Sequence, residues 1–99
     1  MWQVLWEFRV AAEHCEEFER LYGAEGDWAQ LFARSAEFRG TTLVRDPAVV
    51  GRYVTIDTWN DAESFHRFTE SFAAEYKALD LRCEEFTAYE IKIGAFESL

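Results

Sequence analysis

A chain of 99 residues, 49% of them hydrophobic and 17% aromatic, can build one hydrophobic core and is too short for two. Nineteen acidic residues against ten basic ones give a formal charge of -9, which repels phosphate backbones and anionic lipid headgroups and excludes the basic footprint of a nucleic-acid binder. Cys15 and Cys83 are too few for a disulfide framework and lack metal-ligand spacing, so two free thiols in a reducing compartment are expected. The opening residues MWQVLWEFRV alternate and carry charge, unlike a secretory signal, and no apolar run approaches membrane-spanning length. A single cytoplasmic domain over residues 1–99, touching neither membrane nor nucleic acid, is the expectation.

In chain order, Trp2, Val4, Trp6, Phe8 and Val10 alternate with Gln3, Leu5, Glu7 and Arg9, predicting a first strand over residues 2–10. From Ala12 the period changes. Cys15, Phe18, Leu21 and Tyr22 share a helical face, glutamates occupy the rest, and Gly23 can end the helix. Asp27 can cap a short second helix whose apolar side is Trp28, Leu31 and Phe32. Residues 39–46 read as a strand, Asp46-Pro47 as a turn, and the segment from Val50 to Trp59 as the returning strand of a hairpin. Asn60 can then cap a long helix, with Glu63 reaching back, and Phe65, Phe68, Phe72, Tyr76 and Leu79 form its apolar stripe. Alternation over 86–96 predicts a fourth strand.

The order strand, helix, strand, strand, helix, strand defines an α+β fold. It is the ferredoxin-like split βαβ arrangement (βαββαβ), a four-stranded antiparallel sheet with helices on one face. Alternation assigns Val4, Trp6, Phe8, Val54, Ile56, Ile91 and Ile93 to the helix side. It leaves Glu7, Arg9, Tyr53, Asp57, Trp59, Glu90 and Lys92 on the uncovered face, and a register slip of one residue would invert a strand. A face that mixes aromatics with charges can be solvated, meet a partner subunit or line a pocket.

The strand ending in FRV, the W-x-x-L-F segment at Trp28 to Phe32, the G-T-T-L-V-R-D hairpin arm and the strand ending in Trp59 together span nearly the whole chain. In order and spacing they resemble the antibiotic biosynthesis monooxygenase family of dimeric α/β barrels. The resemblance implies a homodimer and a cofactor-independent monooxygenase acting on a small aromatic, polyketide- or quinol-like metabolite. Quinone-forming oxygenases of the family carry an Asn four residues before the strand-end Trp and a Tyr six residues after it. Thr55 and Phe65 stand at those positions here, and Trp59 alone is kept. Haem-degrading relatives use a strand-one Asn and a helix His, whereas Asn60 is the only Asn of this chain and His66 comes too early on its helix.

Oxygenation without a cofactor needs a pocket for a flat ring, a base to remove a proton, and stabilisation of the resulting anion. Asp57 or His66 can act as the base and Arg9 can stabilise an oxyanion, while Trp59, Tyr53, Phe65 and Arg52 can bind the substrate. Each has a plainer role as well: His66 on a helix flank, Asp57 and Arg9 as a cross-strand charge pair, Trp59 as packing. Phosphate-binding, acyl-transfer, zinc and dinucleotide motifs are absent, in agreement with a protein that uses no cofactor. The second function that fits is a non-catalytic dimeric domain binding a small ligand or a protein partner.

Overall fold

The computed structural model describes residues 1–99. Four strands, β1 (Trp2–Arg9), β2 (Phe38–Arg45), β3 (Arg52–Trp59) and β4 (Tyr89–Glu97), form one antiparallel sheet in the order β2-β3-β1-β4. Helices α1 (Cys15–Tyr22) and α2 (Asp27–Phe32) follow β1, and α3 (Ala62–Ser71) and α4 (Ala73–Cys83) follow β3. This is the expected ferredoxin-like α+β fold.

Local chemistry explains the boundaries. The β2–β3 hairpin turns where Asp46 Oδ1 accepts the Ala48 amide at 2.8 Å and Gly51 takes φ +87°. A side chain at Gly51 would meet the Val10 carbonyl oxygen at 2.0 Å, so only glycine lets the turn tuck under the end of β1. The cap of α3 is Asp61, not Asn60: Asp61 Oδ1 accepts the Ser64 amide at 2.8 Å, while Asn60 Oδ1 accepts Arg39 Nε at 2.6 Å. Glu63 makes no capping contact and lies exposed on the first turn. Gly26, one residue earlier than expected, precedes α2 as its cap position. The long second helix is broken at Phe72 (φ -117°, ψ 29°), which lets α4 change direction across the sheet.

The core lies between helices and sheet, and eight of its twelve buried residues are aromatic. Phe8 packs on Phe18 and Tyr22 with ring centroids 5.2 and 5.0 Å away, and Tyr53 packs on Phe18 at 4.7 Å. Trp59, with no exposed surface at all, is enclosed by Phe32, Phe38, Phe65 and Phe68 at 5.1–5.5 Å. Burial of this much ring surface is the main favourable contribution to folding.

These contacts correct the assignment of two strand faces. The helix side of β3 carries Tyr53, Thr55, Asp57 and Trp59, opposite Phe8, Trp6, Val4 and Trp2 of β1 respectively. Val54 and Ile56 point the other way. In β4, Glu90 and Lys92 pair with Phe8 and Trp6, so they too share the helix side, and Ile91, opposite Glu7, does not. A bulge in β4 between the partners of Leu5 and Trp6 then shifts the alternation. The physical reason is that aromatic rings from β1 and the helices fill the interior, and β3 meets them with rings of its own. The aliphatic side is left for the uncovered face, where Leu5, Val54 and Ile56 are half-buried and Val44, Ile91 and Phe96 exposed.

Candidate functional site

Between the sheet and helices α1, α2 and α4 lies a cavity of about 150 Å³. Trp6 and Phe8 of β1 form its floor with Thr55 and Asp57 of β3 and Thr41 of β2. Tyr22, Trp28, Phe32 and Tyr76 close it from the helices, and Asp80 of α4 and Glu90 of β4 stand exposed beside it. The volume matches that of an engineered cavity of ~150 Å³ that accepts benzene, so one aromatic ring is the natural occupant.

Asp57 is the polar centre of the cavity. Burial pushes its carboxyl up to about 6, opposed only by a hydrogen bond from the Thr41 hydroxyl, which donates to Oδ1 at 2.6 Å. No Arg or Lys reaches it. Burial also raises the Glu90 carboxyl, with Asp80 and Glu84 adding repulsion. Burial lifts the Tyr76 phenol to about 12, reinforced by the charges of Asp80, Asp57 and Glu90, and raises the Tyr22 phenol too. Both phenols therefore stay protonated near neutrality. The indole N–H of Trp28, a residue only 8% exposed, is buried against the Tyr22 hydroxyl and the Cys83 thiol, short of ordinary hydrogen-bond geometry.

Of the residues singled out from sequence, Asp57 alone lines this cavity. Tyr53 and Trp59 are core: the Tyr53 hydroxyl donates to Glu19 Oε2 at 2.6 Å, and Trp59 is sealed among phenylalanines. Their expected place on the uncovered face is corrected by the inversion of β3. Arg9 and Arg52 do lie on that face, where both bind Glu7 Oε2, at 3.2 and 3.0 Å. They are on the opposite side of the sheet from Asp57, so the supposed Arg9–Asp57 pair does not form. Phe65 packs against Trp2 and Trp59, and exposed His66 sits 6.4 Å from the Trp2 ring. Phe65 lines a separate groove of about 370 Å³ with Val4, Thr69, Ala73 and Lys92, divided from the cavity by Trp6 and Tyr76.

No other lining residue was read as a site residue; Thr41, Trp28, Tyr76 and Asp80 were not considered, and Glu90 was only grouped with Asp57 on one sheet face. Trp28 and Tyr76 sat on helical apolar stripes and looked like packing. Thr41 becomes visible only through its pairing with Asp57 across the hairpin. Asp80 and Glu90 are 10 positions apart in chain, on elements whose meeting no local pattern encodes. No group of three or more His, Cys, Asp or Glu side chains converges closely enough to hold a metal ion.

A four-stranded antiparallel sheet in the order β2-β3-β1-β4 with its helices on one face is a ferredoxin-like α+β architecture. Solved structures agree. SnoaB, a cofactor-independent oxygenase from Streptomyces nogalater, superposes with a TM-score of 0.66 and 25% identity over 99% of this chain and 92% of its own. A proposed antibiotic biosynthesis monooxygenase from Deinococcus radiodurans gives 0.77 at 14% identity over 100% and 93%. One from Nitrosomonas europaea gives 0.71 at 13% over 100% and 99%. No family model and no curated protein matches the sequence. In fold, this chain is similar to proteins described as antibiotic biosynthesis monooxygenases, the family its sequence resembles.

Proposed function

We propose that the chain is a cofactor-independent monooxygenase acting on a small phenolic metabolite, with Asp57 as the base. The observation that carries this reading is a base-bearing aromatic cavity of single-ring size, in a fold shared with a cofactor-independent oxygenase. At neutral pH a carboxyl raised to about 6 is mostly ionised, yet a better proton acceptor than an ordinary aspartate. Asp57 takes the phenolic proton of a ring held against Trp6, Phe8 and Tyr76. A ring C–H carbon ortho or para to the phenolate oxygen then bonds to one atom of O₂, forming a peroxide. Cleavage of the O–O bond with loss of that ring hydrogen gives a quinone and water, so phenol plus O₂ becomes quinone plus water and the substrate supplies all the electrons.

The chain is proposed to work as a homodimer, with the aliphatic uncovered face of one sheet against that of its partner, as in a dimeric α/β barrel. Its two thiols are unpaired, which fits a cytoplasmic protein. No helix is long and apolar enough to cross a membrane.

One observation favours the second function, ligand binding without turnover: no cationic side chain lines the cavity to stabilise a phenolate. Oxygen uptake with single-ring phenols, and mass spectrometry of products formed under ¹⁸O₂, decide between them. One labelled oxygen in a quinone, lost in Asp57→Asn, is expected. Saturable binding with no label in any product would establish the non-catalytic function instead.

A further inference from the structure

We infer that the occupant of the cavity carries a protonated amine beside its ring and hydroxyl: an aminoalkyl phenol or a close relative. This deepens the function proposed above by naming the charge of its substrate, and it stands on the cavity itself.

The walls offer an aromatic box, a polar floor and carboxylates beside the opening. The rings of Trp6, Phe8, Tyr22, Trp28, Phe32 and Tyr76 form an aromatic box, which accepts a flat ring and also attracts a cation over its π-faces. Thr41 and Thr55 add hydroxyls to the floor around Asp57, so the polar part of an occupant is met there. Asp80 and Glu90 stand beside the cavity from opposite sides, α4 and β4, with no salt bridge to either. Asp57 adds a third carboxyl within. No Arg or Lys lines the cavity; Lys92, on the same face of β4 as Glu90, lines the neighbouring groove.

A site of this charge rejects anions and welcomes cations. It also raises a chemical difficulty that a cationic substrate removes. A phenol of pKa ~10 facing a base near 6 gives up its proton uphill, and neighbouring carboxylates increase that cost. An ammonium group on the substrate supplies the positive charge that the protein lacks, and Asp80 and Glu90 hold it at the mouth.

Quenching of tryptophan fluorescence and isothermal titration at pH 7.5 test this with three phenols of similar size: tyramine (cation), 4-ethylphenol (neutral) and 4-hydroxyphenylacetate (anion). Tyramine should bind at least tenfold more tightly than 4-ethylphenol, and 4-hydroxyphenylacetate most weakly. The doubly substituted D80N/E90Q chain should bring the preference for tyramine over 4-ethylphenol below threefold. Equal or reversed affinities, a preference that survives the double substitution, or no binding of any of the three at millimolar concentration each overturn the inference. Binding is read without oxygen, so a chain that prefers tyramine but yields no labelled product sinks the oxygenase function alone. Labelled product from 4-ethylphenol with no tyramine preference sinks this inference alone.

Discussion

Thr41 and Asp57 face each other across the β2–β3 ladder, and the Thr41 hydroxyl donates to the Asp57 carboxylate at 2.6 Å. It is the only neutral donor bound to the one ionisable group that sits within the cavity floor, and it holds in check a pKa that burial drives upward. Thr41→Val keeps the shape and removes the donor. A hydrogen bond to a charged acceptor is worth about 1.5–3 kcal/mol, so the Asp57 pKa should rise by about one unit or more. Carbon NMR titration of the Asp57 carboxyl measures this directly. Thr41→Ser should restore the parent value, and an unchanged pKa in Thr41→Val would show that the hydroxyl has no hold on the base.

The raised pKa of Asp57 has a sign in stability as well. The folded chain keeps this proton up to about pH 6, whereas the unfolded chain releases it near ~3.9. Its contribution is therefore fully present below ~3.9 and lost as pH rises through about 6. Tyr76, Asp80 and Glu90 face Asp57 across the cavity and Thr41 binds it, so nothing there offsets the ionised form with positive charge. Asp57→Asn, whose amide oxygen can still accept from Thr41, should be more stable than the parent by about 1–3 kcal/mol at pH 8. The difference should close toward pH 4. Denaturant melts of both chains at the two pH values check this. Taking the difference matters, because Glu7, Glu37, Asp46 and Asp61 are held below their usual range by arginine or hydrogen-bond partners and slope the opposite way in both chains. A parent more stable than Asp57→Asn at pH 8 would contradict the burial cause.

Trp59→Ala should cost about 3–5 kcal/mol, as expected for deleting a fully buried aromatic. The lost ring leaves a void among Phe32, Phe38, Phe65 and Phe68. Half-buried Phe72, stacked on Phe68 at 5.1 Å and covered by the Arg34 guanidinium, should cost less when truncated. Phenol affinity, measured on the fraction that remains folded, should be unchanged in both. A larger loss of affinity than of stability in Trp59→Ala would return Trp59 to the site.

That reversal for Trp59 shows where sequence stops informing. Element order was legible because hydrophobic period switches sharply between two and 3.6, and the fold followed from the order. Which face of β3 turns inward was not. Val54 and Ile56 look like core residues and Tyr53, Asp57 and Trp59 do not, until the inner side of β1 is recognised as Trp2, Trp6 and Phe8 and the helices as aromatic too. Antiparallel partners share a face, so the rings of β1 specify rings on β3. Asp57 was found as a polar residue in an apolar strand. Its true companions Thr41, Tyr76, Asp80 and Glu90 come from three other elements, and tertiary packing alone assembles them.

The uncovered sheet face supplies the last test. It presents Leu5, Val44, Val54, Ile56, Ile91 and Phe96, with Ile91 48% and Phe96 49% exposed in the single chain. Two such faces brought together remove this surface from water at about 25 cal/mol per Å², and the exposed edges β2 and β4 gain cover as well. The parent should run as a homodimer in light scattering at micromolar concentration. Ile91→Lys puts two buried charges at such an interface, one from each subunit, where unpaired charge is expensive. In the lone chain the same lysine reaches water, so far-UV circular dichroism should be preserved while the mass falls to that of a monomer. Leu81, 57% exposed on α4 and away from the sheet, is the control: Leu81→Lys should stay dimeric. A folded monomeric parent, or an Ile91→Lys chain as dimeric as Leu81→Lys, would mean that this face meets something other than its own copy.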